Sequence, residues 1–226
     1  MNKTVLVVAA HTDDEAIGCG GTIAKHVAAG DEVHALFLAD GVTSREASTK
    51  QSMIKREVAA KKAQQILGIS SSTCLGLPDN RLDTVALLDI VQSIEKQIQR
   101  RQPQVIYTHH YGDLNIDHRI THQAVITACR PQPGSSVREI YAFEVMSSTE
   151  WATPDLTPFM PNTFIDITKY WHKKKEALER YVCEMRMEPH SRSISHLDVL
   201  TQHRGMSVGM ERAEAFYLVR KVECEV

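Results

Sequence analysis

The sequence predicts an α/β fold in which helices cover both faces of a mostly parallel sheet, a three-layer α/β/α arrangement. The first observation is a run without charges at residues 4–10, which is typical of a strand buried on both faces. The second is that strand-like and helix-like segments alternate through the first two-thirds of the chain. The third is a length of 226 residues, enough for one large domain, and we expect a single domain over residues 1–226.

Six strands are predicted from apolar or β-branched runs, at Thr4–Ala9, Val33–Ala39, Thr73–Leu75, Val105–Thr108, Glu139–Phe143 and Glu214–Val222. Six helices are predicted from periodicity and end signals: one that begins near Gly18 and covers Thr22–Ala29, Met53–Leu67, one from a cap at Asp83 or Thr84 to about Arg100, Arg119–Cys129, one from a cap at Thr168 to about Glu184, and Ser195–Arg204. The polar or proline-rich stretches 43–52, 151–161 and 185–193 are predicted to be irregular. Lys173–Lys175 are expected on a solvated helix face.

Composition excludes several functional classes. The formal net charge is -2 and no polybasic stretch occurs, so we expect neither nucleic acid nor an anionic membrane as partner. No apolar run approaches the ~20 residues of a membrane span, and we expect no secretory signal in the first residues. The five cysteines are scattered without a C-x-x-C pair, which indicates reduced thiols and a cytoplasmic protein.

Two polar clusters follow predicted strands. His11, Asp13, Asp14 and Glu15 come directly after the first strand, and the segment 109–118 follows the fourth. Ligands of open α/β sheets bind outside the carboxyl ends of strands, so this edge is the expected site.

The chemistry of these clusters points to a metal. His11 and Asp14 are three residues apart at a strand-to-helix turn, and His118 is the best candidate for a third ligand from the neighbouring strand. Two nitrogens and one carboxylate leave open positions for water and substrate, as in catalytic zinc or non-haem iron sites. Such an ion lowers the pKa of its bound water to about 7. Asp13 would move the protons, and the expected reaction is attack on an amide or ester carbonyl.

The segment from His11 to Thr22 resembles the A-H-P-D-D-E…G-G-T signature of the PIG-L (LmbE-like) de-N-acetylase family. Asp117–His118 is similar to the end of the family's second motif, H-P-D-H. Further resemblances extend over nearly the whole chain, at Arg56–Glu57 with Leu67–Gly68, Leu77–Asp79, Lys175–Tyr181 and Ala213–Phe216.

The resemblance implies a Rossmann-like fold and a zinc enzyme that removes N-acetyl groups from glucosamine-type sugars or their conjugates. It implies His11, Asp14 and His118 as ligands of one zinc ion, with other divalent metals as alternatives. It also implies Asp13 as the general base, Arg56 and Asp79 as residues that face the substrate, and a homo-oligomeric protein.

Two positions depart from the family pattern. Thr12 stands where the family usually has proline, and Asn115 stands where the first histidine of H-P-D-H would be. In the family that histidine polarises the carbonyl or helps to protonate the leaving group, and asparagine cannot carry a proton. His110 is our candidate catalytic replacement and His190 the alternative. We also expect Asp113, Asn115 and His190 to line the substrate pocket.

Three other functions stay open. The chain could bind a sugar without hydrolysing it, because Asn115 replaces a catalytic histidine. It could hydrolyse another amide C–N bond. A phosphoacceptor receiver domain also holds Mg²⁺ with adjacent acids after its first strand. It needs an acceptor aspartate at the end of strand three, where this chain has Cys74–Gly76, so we give it little weight.

Overall fold

The computed structural model describes residues 2–44 and 49–223, and Cys224 and part of the predicted 43–52 loop lie outside them. The strands are β1 Thr4–Ala9, β2 Glu32–Ala39, β3 Ser71–Leu77, β4 Val105–His109, β5 Glu139–Phe143, β6 Thr163–Asp166 and β7 Ala213–Lys221. The helices are α1 Asp14–Ala28, α2 Lys50–Leu67, α3 Leu87–Arg101, α4 Ile116–Ala128, α5 Trp171–Leu178 and α6 Ile194–Met206, with 3₁₀ turns at Leu82–Thr84 and Thr149–Trp151.

The described strands form one sheet in the order β3-β2-β1-β4-β5-β7-β6. The five strands from β3 to β5 in this order pair in parallel, whereas β7 is antiparallel to both β5 and β6. The predicted α/β class with a mostly parallel sheet is confirmed.

The core consists of two apolar layers, one on each face of the sheet. Successive residues of β1 point to opposite faces, so Val5 and Val7 join one layer while Leu6 and Val8 join the other. Helices α1, α2 and α5 pack with the first layer, and α3 and α4 with the second. This arrangement explains why β1 carries no charge.

The pairing of β1 with β4 positions the site. Val5 pairs with Val105 and Val7 with Tyr107, so the two strands run side by side in the same direction. Their carboxyl ends therefore emerge together at one edge of the sheet, followed by the two polar clusters of the sequence.

Helix α1 begins at Asp14, not near Gly18, because the Asp13 carbonyl accepts the N–H groups of Ala16 and Ile17. The helix is interrupted at Cys19, where φ is -145°. The absence of a side chain at Gly18 serves packing, since a Cβ there would overlap the Phe143 ring.

Other helix boundaries also differ from the prediction. Helix α2 begins at Lys50, because the Thr49 side chain caps it by accepting the Ser52 N–H, so residues 50–52 are helical and not irregular. Helix α5 begins at Trp171, with Tyr170 and not Thr168 at its N-cap.

Helix α3 begins at Leu87, because residues 82–84 form a 3₁₀ turn whose Leu82 N–H donates to Asp117. Helix α4 begins three residues early, with Asn115 as its N-cap. Helix α5 ends at Leu178, since the chain beyond it turns to bury Tyr181 and Glu184.

Strand β6 was not predicted. Its four residues carry a weak sequence signal, and the strand forms at the edge of the sheet by pairing with β7. The long connection before it is irregular apart from one 3₁₀ turn, as expected.

The prediction that Lys173–Lys175 form a solvated face is wrong for Lys174. Its side chain is buried, and Nζ lies 2.5 Å from Oε1 of Glu214 and 2.7 Å from the carbonyl of Ile17. Glu214 also accepts the N–H groups of Gly21 and Thr22. This pair ties α5 and β7 to the interrupted part of α1, where backbone groups need partners outside the helix.

No helix in the described ranges is both long and apolar enough to cross a membrane. Within those ranges Cys19, Cys74, Cys129 and Cys183 are free thiols, and burial raises the pKa of Cys129 to about 12.

Candidate metal centre

Three buried side chains converge at the edge formed by β1 and β4. One ligand-type atom from each of His11, Asp14 and His118 lies within 4.8 Å of the other two. Oδ2 of Asp14 lies 3.3 Å from Nδ1 of His11 and 3.5 Å from Nε2 of His118. The structure thus brings together the three residues predicted as ligands.

Local structure explains this convergence. His11 follows β1, Asp14 is in the first turn of α1, and His118 is in the first turn of α4. The His11 N–H donates to Asp14 Oδ2 at 2.9 Å, which fixes the carboxylate beside the imidazole.

The outward nitrogen of each histidine meets a carboxylate. His11 Nε2 lies 3.1 Å from both Asp79 Oδ1 and Asp117 Oδ2, and His118 Nδ1 lies 3.1 Å from Asp113 Oδ1. Metal-binding histidines usually donate their second N–H to such a group, which fixes the tautomer and the ring orientation. In the neutral rings this arrangement leaves the two inward nitrogens as lone pairs beside Asp14.

His11, Asp79 and Asp117 form a second group within the same distance limit. Asp117 accepts the N–H groups of Asn80 at 2.7 Å and Leu82 at 3.0 Å, so its oxygens are already occupied. This second group therefore acts as support for His11.

The charge balance of the cluster suits a cation. Burial lowers the pKa of His118, but Asp113 and Asp14 outweigh it and raise the pKa to about 9. The same carboxylates that hold a proton on the histidine would attract a divalent ion, which would displace that proton on binding. The donor set and its charge both fit a metal of the zinc type.

Asp13 lies beside the cluster with an uncommon backbone conformation. Its φ is 118°, a value that L-residues rarely adopt and that costs of the order of 1–3 kcal/mol. The Asp13 N–H donates to Glu15 Oε2 at 2.9 Å, and Glu15 Oε1 accepts from the Tyr181 hydroxyl at 2.6 Å. Glu15 thus supports the turn, and the strain points to a functional role for Asp13.

Two arginines flank the Asp13 carboxylate. Arg56 Nη2 lies 3.1 Å from Oδ1 and Arg192 Nη1 lies 3.1 Å from Oδ2. Burial raises the pKa of Asp13 to about 6, against the lowering effect of both guanidinium groups. Arg56 is itself held by Thr12 and by Glu184, whose carboxylate lies 2.7 Å from Nη1.

These side chains line a polar cavity of about 120 Å³. The predicted site residues on its wall are His11, Asp13, Asp14, Arg56, Asp79, Asn115 and His118. Asn115 Oδ1 accepts from the Asp117 N–H at 2.8 Å and Nδ2 donates to Asn80 at 3.1 Å, so the amide both caps α4 and faces the cavity.

Three predicted residues do not reach this cavity: His110, His190 and Asp113. His110 Nε2 is 2.8 Å from the Thr157 carbonyl, and its ring packs against Phe159. His190 accepts the Arg192 N–H through Nδ1 at 3.0 Å and packs against Trp151. Neither histidine is placed to replace the one that Asn115 displaces.

Asp113 lies behind the site. Both of its oxygens accept hydroxyl groups, from Ser148 and from Thr149, and it contacts His118. Asp113 is not on the wall of the cavity, and its position is that of a support for His118.

Sequence reasoning missed five side chains of the site: Ser44, Asn80, Asp117, Glu184 and Arg192. Asp117 could have been found, because it adjoins His118 and acids commonly support a metal-bound histidine. Arg192 and Glu184 lie in an irregular segment with no periodicity or metal-type spacing, and their side chains reach the cavity only through the tertiary fold.

The family model of the GlcNAc-PI de-N-acetylases (PIG-L) matches residues 6–129, more than half of the chain. This chain belongs to the PIG-L family. The matched residues include most of β1, all of β4 and all three candidate ligands of this PIG-L chain.

Similar proteins carry more than one activity in their names. The uncharacterized deacetylase YaiS of Escherichia coli (strain K12) is 28% identical over 185 residues, covering 79% of this chain and 90% of YaiS. A 4-oxalmesaconate hydratase of Pseudomonas putida is 28% identical over 192 residues, covering 78% of this chain and 72% of the hydratase.

Among solved structures, the N,N'-diacetylchitobiose deacetylase of Pyrococcus horikoshii, in complex with its inhibitor MPG, has a TM-score of 0.77. The match has 21% identity and covers 96% of this chain and 84% of that one. At this identity the likeness establishes the fold alone.

Proposed function

We propose that this PIG-L protein is a zinc-dependent hydrolase that removes an N-acetyl group from an amino sugar or glycoconjugate. The observation that carries the proposal is the convergence of His11, Asp14 and His118, with the outward histidine nitrogens on carboxylates and Asp13 alongside. We treat residues 1–226 as one catalytic domain and expect it in the cytoplasm as a homo-oligomer.

His11, Asp14 and His118 would hold the ion. When bound, a zinc ion supplies a Lewis acid and lowers the pKa of a water molecule to about 7. The rest of the chemistry belongs to side chains of the cavity.

Asp13 is the proposed general base. It takes a proton from the water that attacks the acetyl carbon and passes a proton to the nitrogen as the C–N bond breaks, which yields acetate and the free amine. A carboxylate whose pKa lies near neutrality suits both directions of transfer. Arg56 and Arg192 hold its two oxygens in place.

We place the sugar against the open side of the cavity. Asp79 accepts from His11 and Ser44, so it supports the wall and orients a neighbouring ligand. Asn115 uses one Nδ2 hydrogen for Asn80, and the other, which has no partner among the residues that the structure describes, could donate to a developing oxyanion.

Acetate release is the direct test. The zinc-loaded protein is incubated with N-acetylglucosamine, diacetylchitobiose and related conjugates, and acetate and free amine are measured together. We expect both products in equal amounts, and His118→Ala should abolish them. Zinc-loaded protein that releases acetate from no N-acetylated sugar would refute the deacetylase proposal.

Hydration of an unsaturated carboxylic acid is the second candidate. Asn115 cannot protonate a departing amine, whereas addition of water to a C=C bond has no leaving group and needs one base that returns its proton to carbon. The arginines that flank Asp13 suit a carboxylate substrate, and a hydratase is among the relatives. Loss of the ultraviolet absorbance of a conjugated oxo-acid, without acetate release from sugars, would favour this candidate.

A further inference from the structure

His109 is the last residue of β4 and is fully buried behind the candidate ligands. Its Nε2 accepts the Ala10 N–H at 2.8 Å, so that nitrogen carries a lone pair and, in the neutral ring, the proton is on Nδ1. Nδ1 has no hydrogen-bond partner among the described residues. A buried N–H without a partner is unfavourable, so the imidazole has another reason to be there.

The ring of His109 stacks on the ring of His118. Their centroids are 3.9 Å apart and their planes differ by 16°. Phe143 packs against His109 with a centroid distance of 4.9 Å. The His118 ring is therefore fixed by stacking on one face and by the Asp113 contact at its edge.

The same side chain reaches the strand that carries the other histidine ligand. Ala10 immediately precedes His11, so the hydrogen bond from its N–H fixes the backbone at that ligand. Nε2 of His109 also lies 3.4 Å from Oδ2 of Asp14. One buried imidazole thus contacts the chain at all three candidate ligands.

We propose that His109 is a positioning residue of the metal centre, which links the end of β1 to the His118 ring and sets the spacing of the ligands before an ion binds. This inference rests on the proposed metal centre, and it does not depend on which reaction the centre performs. The role requires a hydrogen-bond acceptor and a flat ring in one side chain. Phenylalanine would supply only the ring, and glutamine would supply only the acceptor.

Two substitutions separate the contacts. His109→Phe keeps a ring against His118 but removes the acceptor for Ala10, and His109→Gln keeps an acceptor but removes the ring. The matched control is His34→Phe, because His34 is a buried strand histidine that contacts Ser71 and Glu32, outside the cavity.

The measurement is the dissociation constant for Zn²⁺, obtained by competition with a coloured chelator, together with the visible spectrum of the Co²⁺-loaded protein. We expect both His109 variants to raise the constant by about tenfold, as loss of a supporting contact does at other metal sites. We also expect an altered Co²⁺ spectrum for both, and a wild-type constant and spectrum for His34→Phe. Thermal unfolding of the metal-free proteins verifies that all three are folded, and if His109→Phe does not fold, His109→Gln decides.

A wild-type constant in either folded His109 variant would overturn the proposal, because the link requires both contacts. Wild-type protein that binds no Zn²⁺ would overturn it together with the metal centre. If Zn²⁺ binding behaves as expected while no sugar is deacetylated, the hydrolase proposal fails and the role of His109 stands.

Discussion

Asp113 Oδ1 lies 3.1 Å from Nδ1 of His118, on the side of the ring away from Asp14. Because this contact assigns the proton of the neutral ring to Nδ1, the neutral ring presents Nε2 as a lone pair toward the other candidate ligands. A residue predicted to line the substrate pocket therefore lies behind the candidate metal centre, in contact with His118.

Asp113→Asn tests that contact. The amide keeps the size of the side chain but weakens the hold on the His118 proton, so we expect the Zn²⁺ dissociation constant to rise by about tenfold to a hundredfold. Chelator competition measures it, with Asp155→Asn on the exposed loop as control. An unchanged constant in Asp113→Asn would show that His118 is oriented without this carboxylate.

Metal content and turnover are expected to separate between the ligands and the base. His11→Ala and His118→Ala should lose the metal measured by elemental analysis, whereas Asp13→Asn should keep about one ion per chain. Turnover of Asp13→Asn should fall by about 10²–10⁴-fold, the usual contribution of a general base. Full activity in Asp13→Asn, or normal metal content in both histidine variants, would contradict these assignments.

Arg192 holds the oxygen of Asp13 that Arg56 does not contact. We expect Arg192→Gln to lower kcat by about tenfold to a hundredfold through misplacement of the base, with metal content unchanged. Arg192→Lys should recover part of the loss. Arg186→Gln is the matched control, since Arg186 is exposed in the same segment and bonds only backbone carbonyls in the described contacts. Equal kcat for Arg192→Gln and the control would remove Arg192 from the mechanism.

His110 and His190 provide a contrasting prediction. Because both rings lie outside the cavity, His110→Gln and His190→Gln should keep kcat within about threefold of wild type, well below the 10²-fold effect of losing a proton carrier. His110→Gln should lose about 1 kcal/mol of stability with its bond to the Thr157 carbonyl. A hundredfold loss of kcat in folded protein would show that the loop carrying that histidine rearranges when substrate binds.

The buried ion pair between Lys174 and Glu214 leads to a prediction about stability. Lys174→Met leaves Glu214 buried without its cation, which costs about 3–5 kcal/mol of unfolding free energy. Lys173→Met, one residue away and exposed, should change stability by less than about 0.5 kcal/mol. Urea unfolding compares the two variants, and equal midpoints would mean that the buried pair contributes no net stability.

Local patterns in the sequence predicted the parts of the fold that depend on neighbouring residues. The charge-free run of β1 requires burial on both faces, and β1 and β5 have the predicted bounds. The predicted helix boundaries were wrong where residues far along the chain intervene. Helix α5 ends early because Tyr181 and Glu184 turn inward toward Glu15 and Arg56. The prediction that Lys174 is exposed was wrong for the same reason, because its partner Glu214 is 40 residues away along the chain.

The candidate site divides in the same way. Spacing within one turn places His11 beside Asp14, and strand alternation predicts a parallel sheet that brings His118 to the same edge, so the sequence determined the identity of the candidate ligands. Only the tertiary structure decided which side chains surround them: it placed Arg192 and Glu184 at the cavity, put Asp113 behind His118, and turned His110 and His190 away. Ligand spacing is a property of a few consecutive residues, whereas the direction of a loop side chain depends on hydrogen bonds to residues far along the chain.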